Sequence, residues 1–234
     1  MSTRKSAFGQ ESMKNPSEKF LTWKSQKQCF EYYDKDTQTN VDVTLPLRFV
    51  TLKQLQSVKG WNEALGGSII SNEVEYLSKQ EINAVCYHKN VKGEKTKTTI
   101  AKGFYKDIKD AVTSAGARYH KSIYVMLDDN TLANLQLKGA SVKQWGDFFN
   151  KSRARLADEW VTITDTIKGK KGAVTYFTPD FKLERSLSDS EAEAADDLYN
   201  DLDAYLSQYL ANSIEVVAEE VIVEDIEEND DLDF

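Results

Sequence analysis

The feature that most constrains this fold is a series of strand-length segments joined in pairs by short polar turns. Turns at residues 35–40, 92–97 and 168–172 each separate two such segments, which is the pattern of a β-hairpin. In residues 41–50 every second residue is apolar, as in a strand with one buried face: Val41, Val43, Leu45, Leu47 and Phe49. A parallel α/β sheet would need a helix after each strand, so the sequence predicts a mainly β fold with inserted helices.

The segments between the hairpins complete this prediction. Residues 105–116 and 141–156 have helical patterns, the second capped by Ser141, and the small residues in 58–71 predict a loop. Pro46 cannot donate a ladder hydrogen bond, so its strand is expected at an edge or with a bulge. The order favours an antiparallel β-barrel with extensions, similar to the oligonucleotide-binding (OB) fold.

Charge is strongly segregated along the chain. Residues 1–185 contain all 30 Lys and Arg with 21 Asp and Glu, whereas residues 186–234 contain 17 acids and no base. The net charge of −8 therefore conceals a basic body attached to an acidic end. A basic body suggests a polyanionic partner.

The acidic end divides into two parts. Residues 187–211 place Leu198, Leu202, Tyr205 and Tyr209 at helical spacing after a capping box, Ser188 with Glu191, which predicts an acidic amphipathic helix. Residues 212–234 interrupt their apolar residues with acids and predict a disordered tail. The predicted organisation is a flexible arm (1–18), an OB-like domain (19–186), the acidic helix and the tail.

Secretion and membrane insertion are not expected. No apolar run approaches about 18 residues, and the first residues are polar without a hydrophobic leader. Cys29 and Cys86 lie in apolar, strand-like stretches, where a cysteine is typically a buried thiol of a reducing compartment. We therefore expect a cytoplasmic protein.

Catalytic patterns are weak. His88 and His120 each stand alone in a strand-like stretch, and the sequence has no phosphate-binding glycine motif, zinc-type cysteine spacing or nucleophile elbow. Asp128 and Asp129 are better explained as turn residues than as ligands of a nuclease metal. We expect no enzyme, and no catalytic residue, metal or cofactor.

Strands that carry aromatic and basic residues together indicate a nucleic-acid site. Flat rings stack on unpaired bases while Lys and Arg contact phosphates, so sequence preference is not required. The candidate aromatic residues are Trp23, Tyr32, Tyr33, Trp61, Tyr87 and Tyr124. The candidate basic residues are Lys24, Lys27, Lys35, Arg48, Lys89, Lys92, Lys95, Lys97, Lys121, Lys168, Lys170 and Lys171. Ordinary strand packing or solubility explains any single one equally well, and Phe49, on an apolar face, is expected in the core.

The last residues carry a family resemblance. The chain ends "EENDDLDF", and a basic body with an acidic tail closing on Phe resembles single-stranded DNA-binding proteins of bacterial and bacteriophage replication; residues 124–149 also look like phage members. The resemblance implies binding in DNA replication, recombination or repair, with the tail recruiting partner enzymes and competing for the DNA groove. The residues that would bind those enzymes are Asp230, Asp231, Leu232, Asp233 and Phe234.

One departure from that family is the acidic helix, which stands where bacterial members have a long Gly/Gln/Pro-rich linker. It leaves open whether the protein forms a homo-oligomer. The alternative interpretation is an acidic protein-interaction or DNA-mimic protein that binds no DNA itself, in which the helix and the tail are the functional parts.

Overall fold

The computed structural model describes residues 15–212. The predicted arm lies outside this range except for residues 15–18, and the predicted tail lies outside it except for Asn212. Within the range, strands and helices follow in the order β1 (Lys19–Lys24), β2 (Cys29–Asp34), β3 (Thr39–Val43), β4 (Leu47–Asn62), β5 (Gly67–Ser71), β6 (Glu81–Lys89), β7 (Lys95–Phe104), α1 (Tyr105–Ser114), β8 (Ala117–Leu127), β9 (Leu132–Lys138), α2 (Ala140–Ser152), β10 (Glu159–Lys171), β11 (Val174–Ser186) and α3 (Asp189–Asn212).

All the strands belong to one sheet that branches at β4. Its main order is β3-β2-β1-β9-β8-β4-β5-β6-β7, and β10 joins it by pairing with β4 and β11. β4 pairs with β8 along most of its length. On its other side, its first residues pair with β10 and its last residues with β5.

The sheet is mixed and, within residues 15–212, is not closed by a backbone ladder. β1 runs parallel to β9, and the other pairs are antiparallel. The β1–β2 turn reaches β11 through side chains: the Trp23 indole N–H and the Ser25 hydroxyl donate to the Phe177 carbonyl at 2.9 and 3.0 Å. The prediction of an antiparallel barrel was wrong in these two respects, because the β1–β3 hairpins insert between β9 and β11.

The inner face of the sheet forms the main core. Phe49, Trp145 and Leu135 are fully buried there. α2 covers this core: Trp145 lies 6.4 Å from Phe49 and 5.1 Å from Phe181 between ring centres. The expectation that Phe49 belongs to the core is confirmed.

The second half of β4, with β5, β6, β7 and α1, forms a separate part that we call the wing. It has its own core, in which Val112 of α1 packs against Val58, Ile69 and Cys86. Cys29 and Cys86 are both buried thiols, as the sequence predicted.

α3 packs on the outer face of the sheet. Leu202 and Leu206 are 0% and 1% exposed against Leu55 and Tyr124 of β4 and β8. The helix begins with the predicted capping box, in which the Ser188 N–H donates to the Glu191 carboxylate (2.8 Å) and the Glu191 N–H to the Ser188 hydroxyl (3.3 Å). The predicted amphipathic helix is confirmed.

Three local predictions need correction. Residues 58–71 are not a loop: β4 continues to Asn62 and β5 follows at Gly67. The segment 41–50 is two strands, with a break at residues 44–46 that contains Pro46, which has no N–H for a ladder. Ser141 lies inside the first turn of α2, whose N-cap residue is Gly139.

Candidate nucleic-acid interface

The lysine-rich hairpin between β6 and β7 contains four of the candidate lysines. Lys89 and Lys95 are directly opposite each other in the ladder, and Tyr87 is opposite Lys97. Lys92 lies in the exposed turn between them. Like charges that face each other across strands destabilise a hairpin, so a polyanion bound here would relieve that repulsion.

A row of side chains crosses the wing on one face. Trp61 pairs with Ser68, Ser68 with Tyr87, and Tyr87 with Lys97, across β4, β5, β6 and β7. Residues opposite each other in antiparallel strands lie on the same face. Trp61 and Tyr87 are half-buried, and burial raises the pKa of the Tyr87 hydroxyl. The register therefore brings two candidate rings and a candidate lysine together.

Sequence reasoning missed three basic residues on this face. Lys59 is opposite Arg118 in the β4–β8 ladder. Lys138 is opposite His120 in the β8–β9 ladder, two residues further along β8 from Arg118. Lys59 precedes Trp61 by two positions, a spacing that places both on one strand face, and this signal was lost because residues 58–71 were interpreted as a loop.

The β10–β11 hairpin holds the second lysine group. Lys170 and Lys171 are the last two residues of β10 before its turn, and Lys168 is opposite Phe177. Gly169 accommodates the Tyr176 ring, which a Cβ at that position would meet at 2.2 Å. This hairpin extends past the beginning of β4, whereas the β6–β7 hairpin extends past its end, so the two lysine groups lie at opposite ends of β4.

α3 occupies the outer face of β4 and β8 between these two ends. Its inner side buries Leu198, Leu202, Leu206, Tyr205 and Tyr209. Burial of that many large side chains is worth on the order of 10 kcal/mol, comparable with the whole stability of a domain. α3 therefore packs on this face through an extensive apolar contact.

Glu73 has a buried carboxylate, and its backbone N–H contacts the end of α3. Glu73 accepts hydrogen bonds from the Ser122 and Tyr124 hydroxyls, the latter at 2.7 Å, and lies 3.9 Å from the Lys59 ammonium. Its backbone N–H donates to the Tyr209 hydroxyl at 3.2 Å. The last turn of α3 is thereby attached beside the wing.

Two candidate aromatic residues are not accessible. Trp23 is 4% exposed in the main core, and Tyr124 is 1% exposed beneath α3. Neither ring can stack on a base in this conformation. The sequence could not separate them from the accessible rings, because eight of the eleven strands in residues 15–212 carry aromatic residues and only the three-dimensional packing decides which are covered.

Several candidate cations are engaged within the protein. Lys24 and Lys27 lie 3.1 and 2.7 Å from the Glu31 carboxylate. Arg48 lies 2.8 Å from Glu184 and over the Trp160 ring. Lys121 donates to the Gln54 side chain at 3.1 Å, and burial lowers the pKa of its ammonium.

The remaining candidates lie away from the wing or outside the described residues. Tyr32 and Tyr33 are half-buried on β2, and Lys35 is exposed in the following turn. They stand at the β3 end of the sheet, far in the strand order from the wing. The predicted partner-binding residues at 230–234 lie outside the described residues.

The two histidines make only local contacts among the described residues. His120 contacts the Arg118 carbonyl, and burial, with Lys59 close by, lowers the pKa of its imidazole to about 3. His88 contacts the Thr98 hydroxyl at 2.9 Å. Asp129 accepts from the Thr131 N–H, which is a turn contact. Within residues 15–212, no group of three His, Cys, Asp or Glu residues is placed to hold a metal ion.

Comparisons with protein-family models, curated proteins and solved structures found no match to this chain. Among the helices of residues 15–212, none is both long and apolar enough to cross a membrane.

Proposed function

We propose that this protein binds single-stranded DNA without sequence preference and without catalysing a reaction, on a body with the connectivity of an OB fold. In that fold the first strand pairs with the second and the fourth, and a helix links the third to the fourth. β4, β8, β9, α2, β10 and β11 follow this order, with β4 paired to both β8 and β10. β1–β3 and the wing are then additions to the barrel.

The observation that carries the proposal is which connections between strands contain the two lysine-rich hairpins. In OB folds the loops between strands 1 and 2 and between strands 4 and 5 border the oligonucleotide groove. The β6–β7 hairpin belongs to the connection from β4 to β8, and the other hairpin is the connection from β10 to β11. Both lysine groups therefore occupy connections that serve binding in this fold class.

The proposed binding activity also suggests a process and a partner. A non-specific single-strand binder acts in DNA replication, recombination or repair, in the cytoplasm of a bacterium or of a phage host. The C-terminal residues would recruit an enzyme of these processes by inserting Phe234 into an apolar pocket while the aspartates meet basic residues. The alternative, an interaction or DNA-mimic protein, requires no affinity of the body for DNA.

The test is a titration with labelled oligo-dT and with duplex of equal length at two salt concentrations. We expect tighter binding to the single strand and a falling log K with rising log salt. Equal affinity for duplex would contradict the proposal, and no binding to either would favour the alternative.

A matched pair of double variants locates the phosphate contacts. Lys168→Gln with Lys170→Gln removes two charges from the hairpin, and Lys143→Gln with Lys182→Gln removes two that are paired with Asp147 and Asp180. The hairpin variant should lower the salt slope by about 1.4, since each phosphate contact on a single strand contributes about 0.7. Equal slopes for both variants would exclude this hairpin from the interface.

A further inference from the structure

We propose that the single strand crosses the outer face of the wing, with bases on Trp61 and Tyr87, while α3 stays docked on the barrel face. The inference rests on the proposed function and deepens it. It assigns the ligand to a surface beside the barrel, although strands 2 and 3 of the barrel are the usual binding face of the fold.

The barrel face lacks an accessible surface for bases. Strands 2 and 3 correspond to β8 and β9, and on their outer side Tyr124, Met126 and Leu132 are covered by α3. Trp160, with Arg48 and Arg185 over its ring, is 3% exposed in the same region.

The outer side of α3 disfavours a polyanion. α3 carries seven acids and no base, and Glu193, Asp196, Asp197 and Asp201 are exposed. A single strand laid across α3 would place phosphates against these carboxylates.

The wing offers the complementary arrangement. Of the four tryptophans, all within the described residues, Trp61 alone is not buried. Trp61 and Tyr87 stand two strands apart, roughly 10 Å at the usual strand spacing, with the small Ser68 between them. Lys97, Lys95 and Lys89 continue the same face to the sheet edge.

This geometry selects an unpaired polynucleotide. Rings on a sheet face can stack on bases only when the bases are not already paired and stacked in a duplex. The lysines beyond Tyr87 are placed to contact the phosphates of the same strand. The last turn of α3, whose Tyr209 hydroxyl accepts from the Glu73 N–H beside the wing, would mark one border of the path.

The first test is photo-crosslinking of the full-length wild-type protein to oligo-dT that contains 5-iodouracil, with the crosslinked residues identified by mass spectrometry. We expect crosslinks at Trp61 and Tyr87. Crosslinks at Tyr124, Trp160 or Tyr199, with single-strand binding intact, would overturn the path and leave the proposed function standing. Failure of the wild-type protein to bind oligo-dT would overturn both.

The second test compares Trp61→Leu and Tyr87→Leu with Tyr199→Leu, an exposed tyrosine of α3. We expect about tenfold weaker oligo-dT binding or more for each wing variant, as loss of a stacked ring predicts, and less than a twofold change for Tyr199→Leu. Thermal unfolding checks that each variant is folded. Unchanged affinity in two folded wing variants would refute the path.

Hydrogen exchange tests whether α3 stays in place. We expect the amides of Leu198 to Leu206 to keep their protection when oligo-dT is bound. Loss of this protection on binding would show that α3 leaves the barrel face, and would contradict the inference.

Discussion

Glu73 is the residue on which the wing, β8 and α3 converge. Tyr124 reaches it from β8, Lys59 from β4, and Tyr209 from α3. Burial and the Glu73 carboxylate together raise the pKa of the Tyr124 hydroxyl, so Tyr124 is the donor in this contact. A buried carboxylate needs such donors, because an unpaired charge in the interior costs several kcal/mol.

The first prediction concerns this contact. Tyr124→Phe removes the hydroxyl that donates to Glu73 and should lower the free energy of unfolding by about 1.5–3 kcal/mol, as for hydrogen bonds to charged groups. Tyr199→Phe also removes a tyrosine hydroxyl, but from a side chain that is 38% exposed, and should change the free energy of unfolding by less than about 0.5 kcal/mol. Urea denaturation measures both, and equal effects would show that Glu73 does not depend on Tyr124.

At the scale of elements, prediction from sequence succeeded where the signal is local. The capping box and the spacing of Leu198, Leu202 and Tyr205 defined α3, because both lie within a few residues. The parallel pairing of β1 with β9 could not be predicted, since it joins residues more than 100 positions apart.

β4 illustrates a second kind of failure. Its end was interpreted as a loop because of its glycines, yet Gly60 is there for a close backbone approach. A Cβ on Gly60 would lie 2.1 Å from the Gly116 carbonyl oxygen of the neighbouring chain segment. The same sequence signal, a glycine, can indicate either a turn or such an approach, and only the pairing of strands distinguishes them.

The second prediction compares two glycine-to-alanine substitutions. Gly60→Ala should destabilise the protein because the new methyl group collides with backbone that cannot move alone. Gly146→Ala, in the middle of α2 with no atom within 4 Å of the new Cβ, should stabilise it by about 0.5–1 kcal/mol. Thermal unfolding should give shifts of opposite sign, and a stabilising Gly60→Ala would contradict the close approach of β4 to Gly116.

At the scale of the whole molecule, basic and acidic residues belong to different elements of the fold. The basic hairpins belong to the sheet, and the acidic α3 leads from Trp160 to the wing, where its last turn meets Glu73. The candidate site could be predicted from sequence only as a list of residue types. The register brings Trp61, Tyr87 and Lys97 together on one face, and burial makes Trp23 and Tyr124 inaccessible.

The last prediction follows from the position at which α3 ends. Residues 213–234 contain 10 of the 38 acids and no base, so a chain that ends at Asn212 changes from a net charge of −8 to +2. The last turn of α3 is attached at Glu73, beside the wing, so we expect the acids that follow it to compete with phosphates for the wing lysines. Truncation after Asn212 should therefore tighten oligo-dT binding, most strongly at low salt, where charges are least screened.

The control for this truncation is Phe234→Ala, which retains every acidic side chain. It should leave oligo-dT affinity unchanged, because the competition depends on carboxylates and not on the ring. Titrations of wild type, Phe234→Ala and the truncated chain at low and high salt separate the two contributions. If the truncated chain bound oligo-dT no more tightly than wild type at low salt, the carboxylates that follow α3 would not reach the wing, and the acidic end would act only on other partners.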